Sequence, residues 1–354
     1  MSDVVDYVIE GEIGVITVDN PPVNALSEAV RQGLLDAIRT AAGDASQAVL
    51  ILCNGRTFIA GADIKEFGKP HVEPFLPDLL NEIESCEKIV VSALHGTALG
   101  GGFETALASH YRIAAAAAKV GLPEVKLGLL PGAGGTQRVP RLAGVEAGLE
   151  LILGGAPIGA KRAADLGLVD RIVDDELPAA AKDYVRELLA SGAAVRRASE
   201  QQVDAVADDV FEAAIAGLAR RARGQTAPPR IVECVRNAMT LPFADGQRRE
   251  RELFMECMQD PQSAALRHMF FAEREAAKIV GLDEEVETRD VQSVGIIGGG
   301  TMGGGIAMSF ANAGFPVTLV EINKQALASG LEIIDKNYAG SVKRGKLSEA
   351  QAAE

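Results

Sequence analysis

The chain of 354 residues has no run of apolar residues long enough to cross a bilayer, so membrane insertion is not expected. It has four cysteines, and Cys53, Cys86, Cys234 and Cys257 lie too far apart to match a zinc or thiol-redox spacing. No metal is therefore expected. Cys53 and Cys86 fall inside or beside apolar runs and read as buried, reduced thiols, which points to a reducing compartment and a cytoplasmic location. Residues Met1 to Glu10 are acidic and lack the basic-then-apolar order of a signal peptide. Positive charge is also short: 35 Lys and Arg stand against 49 Asp and Glu, a formal net charge of −14. That excess excludes nonspecific binding to nucleic acid or to an anionic membrane. It also requires any anionic ligand to be met by local donors. Histidine is scarce, and residues 291 to 354 contain none.

What is present fits a folded protein: 47% of residues are apolar and 24% charged, over a length that suits two domains. Val4 to Glu10 and Ile13 to Val18 alternate around Gly11-Glu12, the pattern of a hairpin. Ser27 is placed to cap a helix running to about Thr40. Ala48 to Cys53 is a buried strand, and Gly61 exposes the backbone ahead of another helix-like segment. Gly68, Pro70, Pro74 and Pro77 predict a mobile loop over 68–77, followed by a helix from Leu79 to Glu87. Lys88 to Leu94 and His110 to Ala114 read as strands, and this strand–helix alternation predicts an α/β core with parallel crossovers. From about Leu142 the pattern is helical, with a strand-like interruption at Leu168 to Val173. Residues 281–290 carry five acids and read as a linker. Domain bounds are expected at 1–190, 191–280 (a helical part), 281–290 and 291–354.

Two glycine-rich stretches carry candidate chemistry. In the first, the strand ending at Leu94 leads through His95 to Gly100-Gly101-Gly102 and then to a helix with Glu104 on its first turn. A tight turn with uncovered N–H groups and a carboxylate beside it suits the stabilisation of a developing negative charge. A plain turn followed by a glutamate favoured by the helix dipole accounts for the same residues. His95 and His110 have no nucleophile or metal partner by spacing and read as structural. In the second stretch, Val294 to Ile297 is a strand, Gly298, Gly300 and Gly303 follow, and Glu321 ends the next strand. Strand, G-x-G-x-x-G, helix and an acid after the second strand form the dinucleotide pattern. The glycines would receive a pyrophosphate. Glu321 would accept from a ribose and disfavour a 2′-phosphate, which selects NAD. A simple βαβ unit with a glycine turn is the alternative.

Residues 1 to 285 resemble the crotonase (enoyl-CoA hydratase/isomerase) superfamily. The resemblance lies in Asn20-Pro-Pro-Val-Asn-Ala-Leu26, Phe58-Ile-Ala-Gly-Ala-Asp-Ile64, Ala98-Leu-Gly-Gly-Gly-Phe-Glu104, Leu122-Pro-Glu124 and Pro131-Gly-Ala-Gly-Gly-Thr-Gln-Arg138. Val294 to Asn323 resembles the start of the NAD-binding domain of 3-hydroxyacyl-CoA dehydrogenases, and the order of the two parts is that of multifunctional β-oxidation enzymes. The resemblance implies a crotonase-like ββα superhelix with a helical C-terminal part, followed by an incomplete Rossmann βαβ unit. It implies an acyl-CoA thioester as substrate and Glu104 and Glu124 as the acid/base pair. It also implies the Ala62 and Gly101 N–H groups as an oxyanion hole, and Ala60, Asp63 and Ile64 as CoA contacts. Lys65, Arg274 and Lys278 are candidates for the CoA phosphates, and Asp63 could instead cap the following helix.

The expected reaction is addition of water to a 2-enoyl-CoA, with 3-enoyl to 2-enoyl isomerisation as a secondary activity and no cofactor for hydration. NAD belongs to the incomplete dehydrogenase part. Members of that family carry a catalytic His–Glu pair further on, so hydride transfer by this chain alone is not expected. The alternatives are a dehydrogenase whose catalytic part lies elsewhere, or a non-catalytic acyl-CoA or nucleotide-binding scaffold. Residues 291–354 are expected to be mobile, or covered by self-association or by a partner chain.

Overall fold

A computed structural model describes the chain except for residues 1–2, 64–65, 67–71, 175, 223, 277, 280, 282–288, 346 and 354, and the side chains of 218–221. Ile64, Lys65, the helix-like segment after Gly61, the start of the 68–77 loop and most of the acidic linker lie outside the described residues. The chain forms two compact units, Met1–Lys278 and Ile279–Glu354.

The first unit is built on a six-stranded sheet of β1 (Val5–Glu10), β2 (Ile13–Val18), β3 (Ala48–Cys53), β4 (Ile89–Leu94), β6 (Tyr111–Ala115) and β9 (Arg171–Val173), in that spatial order. Gly11, at φ +64°, closes the β1–β2 hairpin, and the remaining neighbours run parallel. A strand covered on both faces needs apolar residues at successive positions, not only at alternate ones. β4 has that pattern and is buried along its whole length. The two-residue period sends Val49, Ile51, Val90 and Leu94 into one core with the helices Glu28–Gly43 and Leu76–Ser85. It sends Ile13, Val15, Leu50 and Val91 to the other face, under the helix Leu177–Ala190. Ser27 caps Glu28–Gly43 as expected, its Oγ accepting from Val30 N–H at 3.4 Å.

A second sheet of three short strands, β5 (Thr97–Leu99), β7 (Lys119–Gly121) and β8 (Ile158–Gly159), stands beside the first. The expected strand from Lys88 therefore ends at Leu94, and a separate strand begins after Gly96, at φ +55°. Cys86, Cys234 and Cys257 are buried, but Cys53 is partly exposed, because β3 rises out of the core at its last residues; all four thiols are free. The ring of His110 is buried, with Nδ1 accepting from Val90 N–H at 2.9 Å and Nε2–H donating to the Glu84 carbonyl at 3.0 Å. His95 Nε2 lies 3.1 Å from the Gly55 carbonyl.

In the second unit β10 (Val294–Ile297) pairs in parallel with β11 (Val317–Val320), and the helix Thr301–Asn312 makes the crossover. Asn323 caps the helix Lys324–Lys343, its Oδ1 accepting from Ala326 N–H at 2.8 Å. A short helix, Glu349–Ala353, follows.

Candidate active site

The small sheet sets the geometry of the first glycine turn. Leu99 N–H donates to the Ile59 carbonyl at 3.1 Å, and Gly100 N–H donates to the Gly121 carbonyl at 2.9 Å. The chain then reverses at Gly100, whose φ of +53° is open to glycine at little cost, and enters the helix Gly101–Ala108. As the first helical residue, Gly101 has an N–H with no intrahelical acceptor. Ala62 arrives from a different segment, paired with Leu26 through a parallel bridge. Its nitrogen lies 3.8 Å from the point where a Cβ on Gly101 would stand, and the residue is exposed. Two donors 39 positions apart in the chain thus stand side by side. Ala60 and Asp63 flank them, partly buried, with Ala60 N–H donating to the Val23 carbonyl at 3.1 Å.

Glu104 sits on the first turn of that helix, 2% exposed. Its Oε1 accepts from Ala133 N–H and Gly135 N–H, both at 2.8 Å. Burial pushes its carboxyl above the usual range, and the two N–H donors and the charge of Arg138 act in the opposite direction. Arg138 is itself fully buried and bridges to Glu84 at 2.8 Å.

Glu124 opens a single 3₁₀ turn, Glu124–Leu127, that follows β7 and closes through left-handed Gly128. Leu129 N–H donates back to the Glu124 carbonyl at 3.0 Å, and Ser263 Oγ donates to the Leu127 carbonyl at 2.9 Å. A Cβ on Gly100 would meet Glu124 Oε1 at 2.9 Å, so this carboxyl stands over the turn that starts the Glu104 helix. Although the residue is partly exposed, Oε2 is sealed from solvent and makes no hydrogen bond. Burial first, then the charges of Glu104 and Glu250, hold the Glu124 carboxyl well above the usual range. The two acids are therefore unlike. Glu104 is fixed by donors, whereas Glu124 has an oxygen free to exchange a proton.

Glu250 is a third buried acid, and nothing in the sequence singled it out. It lies on the helix Phe243–Gln259 and is 0% exposed. Its Oε1 accepts from Gly134 N–H at 2.6 Å, and its Oε2 accepts from Thr136 N–H at 3.0 Å and from the Thr136 hydroxyl. Its surroundings in sequence, Arg248-Arg249-Glu250-Arg251-Glu252, have the look of a solvated helix face.

A cavity of about 530 Å³ lies against the Glu124–Leu127 turn, lined by Val125, Leu149, Leu153, Val210 and Pro228 among others. Ala62, Gly101 and Glu104 do not line it, so the chemistry is not centred there. Among the described residues no His, Cys, Asp and Glu group has the geometry of a metal site. No described helix is long and apolar enough to cross a membrane.

In the second unit a Cβ on Gly303 would fall 1.7 Å from the Gly298 carbonyl oxygen, so only glycine allows this approach of helix to turn. Gly298 has φ +92°, and Gly300 is the residue from which the helix starts. Glu321 Oε1 accepts from Gly299 N–H, and Oε2 from Ile322 N–H at 3.0 Å. Thr301 and Met302 open the helix with N–H groups that have no intrahelical acceptor, and Glu321 holds the Gly299 N–H of the same turn. These residues fit a dinucleotide.

Comparison with known proteins agrees with both units. Residues 293–354 match the family model of the 3-hydroxyacyl-CoA dehydrogenase NAD-binding domain. The chain is 42% identical over 334 residues to a peroxisomal bifunctional enzyme of Danio rerio, covering 92% of this chain and 46% of that protein. It is 34% identical over 357 residues to a peroxisomal fatty acid beta-oxidation multifunctional protein of Arabidopsis thaliana, covering 96% of this chain and 49% of the relative. The chain thus spans about half the length of the curated relatives it matches. An enoyl-CoA hydratase of Mycobacterium avium subsp. paratuberculosis K-10 shares the fold, with a TM-score of 0.58 at 23% identity over 77% of this chain and 97% of that one. Residues 8–228 match the enoyl-CoA hydratase/isomerase family model, and the chain belongs to that family.

Proposed function

We propose that this chain adds water to 2-enoyl-CoA thioesters in fatty-acid β-oxidation. The observation that carries this reading is the meeting of Glu104 and Glu124, 20 residues apart in sequence, beside the paired donors of Gly101 and Ala62. The thioester oxygen is received by the Ala62 and Gly101 N–H groups. They bind it more tightly as it gains enolate character, an effect for which one donor is typically worth a factor of about 10²–10³. Glu104, fixed by the Ala133 and Gly135 N–H groups, orients the water. Glu124 takes a proton from that water and returns one to the α-carbon, so acid and base roles alternate on one carboxyl. Its unbonded Oε2 also supports a secondary activity, moving a proton between carbons to convert a 3-enoyl to a 2-enoyl thioester. Ala60, Asp63 and Ile64 are assigned to the adenine side of CoA. Loss of enoyl absorbance on mixing with crotonyl-CoA tests the reaction, with Glu124→Gln expected to slow it by about 10²–10⁴.

For the second unit, we infer that Gly298, Gly300 and Gly303 receive the pyrophosphate of NAD and that Glu321 accepts from its adenosine ribose. Bound NAD supplies a hydride acceptor; the residues of this chain supply its binding. Ile297 and Ile322 are each 91% exposed and Met302 is 76% exposed, which supports the idea that further protein, a partner or a second copy, covers this unit. The names of the relatives favour a peroxisomal setting over the cytoplasmic one expected from composition.

A further inference from the structure

The loop from Ala133 to Thr136 presents four consecutive N–H groups, and they alternate between two buried carboxyls. Ala133 and Gly135 donate to Glu104 from one side, and Gly134 and Thr136 donate to Glu250 from the other. The Thr136 hydroxyl adds a third bond to Glu250. Gly134 and Gly135 also begin the helix Gly135–Ala143, so both acids sit at the positive end of one helix dipole. Burying a second carboxyl next to the first is costly, and the three bonds from Gly134 and Thr136 offset that cost.

We propose that Glu250 is a positioning residue for the hydration proposed above: it holds the 133–136 loop from the rear, so that two N–H donors stay aimed at Glu104. The proposal rests on Glu104 acting at the site, and Glu250 acts through the loop and not on the reacting atoms. It explains why a helix remote in sequence, Phe243–Gln259, sends an acid into the core. Without that anchor the Gly134 and Thr136 N–H groups lose their acceptor. Glu104 and the 2.9 Å bond from Arg138 Nη1 to the Ala133 carbonyl are left to hold the front of the loop, and the donors that oppose burial at Glu104 are freer to turn away. Other groups face Glu250: Glu104 and Glu124 across the loop, Cys234 from the helix Ala227–Thr240, and Arg251 on its own helix. Arg138 acts on Glu104 from the helix Gly135–Ala143.

The test is Glu250→Gln, whose amide offers one acceptor oxygen where the carboxylate offers two. The readout is the titration midpoint of the Glu104 carboxyl carbon by ¹³C NMR, assigned by difference against Glu104→Gln. The midpoint is expected to rise, because the donors that hold it down are loosened; loss of the Glu250 charge alone would lower it, so the direction of the shift separates positioning from charge removal. In parallel, kcat for crotonyl-CoA hydration is expected to fall roughly 10- to 100-fold with KM little changed, the effect of a misplaced catalytic group. An unmoved or lowered Glu104 midpoint in a folded Glu250→Gln protein overturns the proposal, even if activity or stability is lost. If that variant does not fold, Thr136→Val removes one of the three bonds to Glu250 and should move the midpoint the same way by less; no movement there overturns the proposal too. Failure of the wild-type protein to hydrate crotonyl-CoA would overturn the functional reading alone, since the midpoint is read without turnover.

Discussion

Glu124 is the residue on which the proposed chemistry turns, and its surroundings set a pH signature. To take a proton from water it must be ionised. Burial and the neighbouring charges of Glu104 and Glu250 favour its protonated form. Hydration should therefore decline as pH falls through a value well above the ordinary glutamate value of 4.5. A kcat/KM profile whose acid limb sits at that ordinary value would contradict the assignment. Glu104 was a candidate from its own stretch, beside a triple glycine, whereas Glu124 entered only through the resemblance, at Leu122-Pro-Glu124. Glu250 was not legible. Charged helix residues at this density are usually solvated, and only the packing of helix 243–259 against the loop reveals that this one points inward.

At the scale of elements, the strands with long apolar runs were readable, and β3 lies where its sequence places it. The sheet of β5, β7 and β8 was not, since strands of two or three residues leave no periodicity to detect. Yet that sheet fixes the Gly100 turn, so local pattern marked the glycines and Glu104 as candidates without revealing what holds them. The second glycine turn gives a sharper test of an element. Gly303→Ala would force a Cβ to within 1.7 Å of the Gly298 carbonyl oxygen, a contact relieved only by moving the helix off the strand. Hydrogen exchange over residues 294–312 should rise strongly in this variant, with crotonyl-CoA hydration unchanged. Protection equal to wild type would show that the turn does not depend on this approach. A milder change, Ser27→Ala, removes the cap of Glu28–Gly43 and should cost about 1 kcal/mol in denaturant unfolding.

Across the whole molecule, the −14 charge repels an anionic CoA thioester, so binding must rest on directed donors and not on the overall field. The buried acids also leave a mark on stability. Glu250 is pushed from 4.5 to about 8, first by burial and then by the charge of Glu104. A carboxyl raised on folding contributes stability that is complete below its unfolded value and is lost as pH rises through its folded value. Glu104 and Glu124 are shifted in the same direction. The thermal midpoint of residues 1–278 should therefore fall between about pH 5 and pH 8. That slope should be shallower in Glu250→Gln, and an equal slope in both proteins would contradict the linkage.

The central claim is that two carboxyls separated in sequence act as one acid/base pair, and the decay of crotonyl-CoA absorbance tests it most directly. The wild-type chain should hydrate the substrate. Glu124→Gln and Glu104→Gln should each lower kcat by about 10²–10⁴ while the fold is retained. Wild-type rates in both variants would contradict the account.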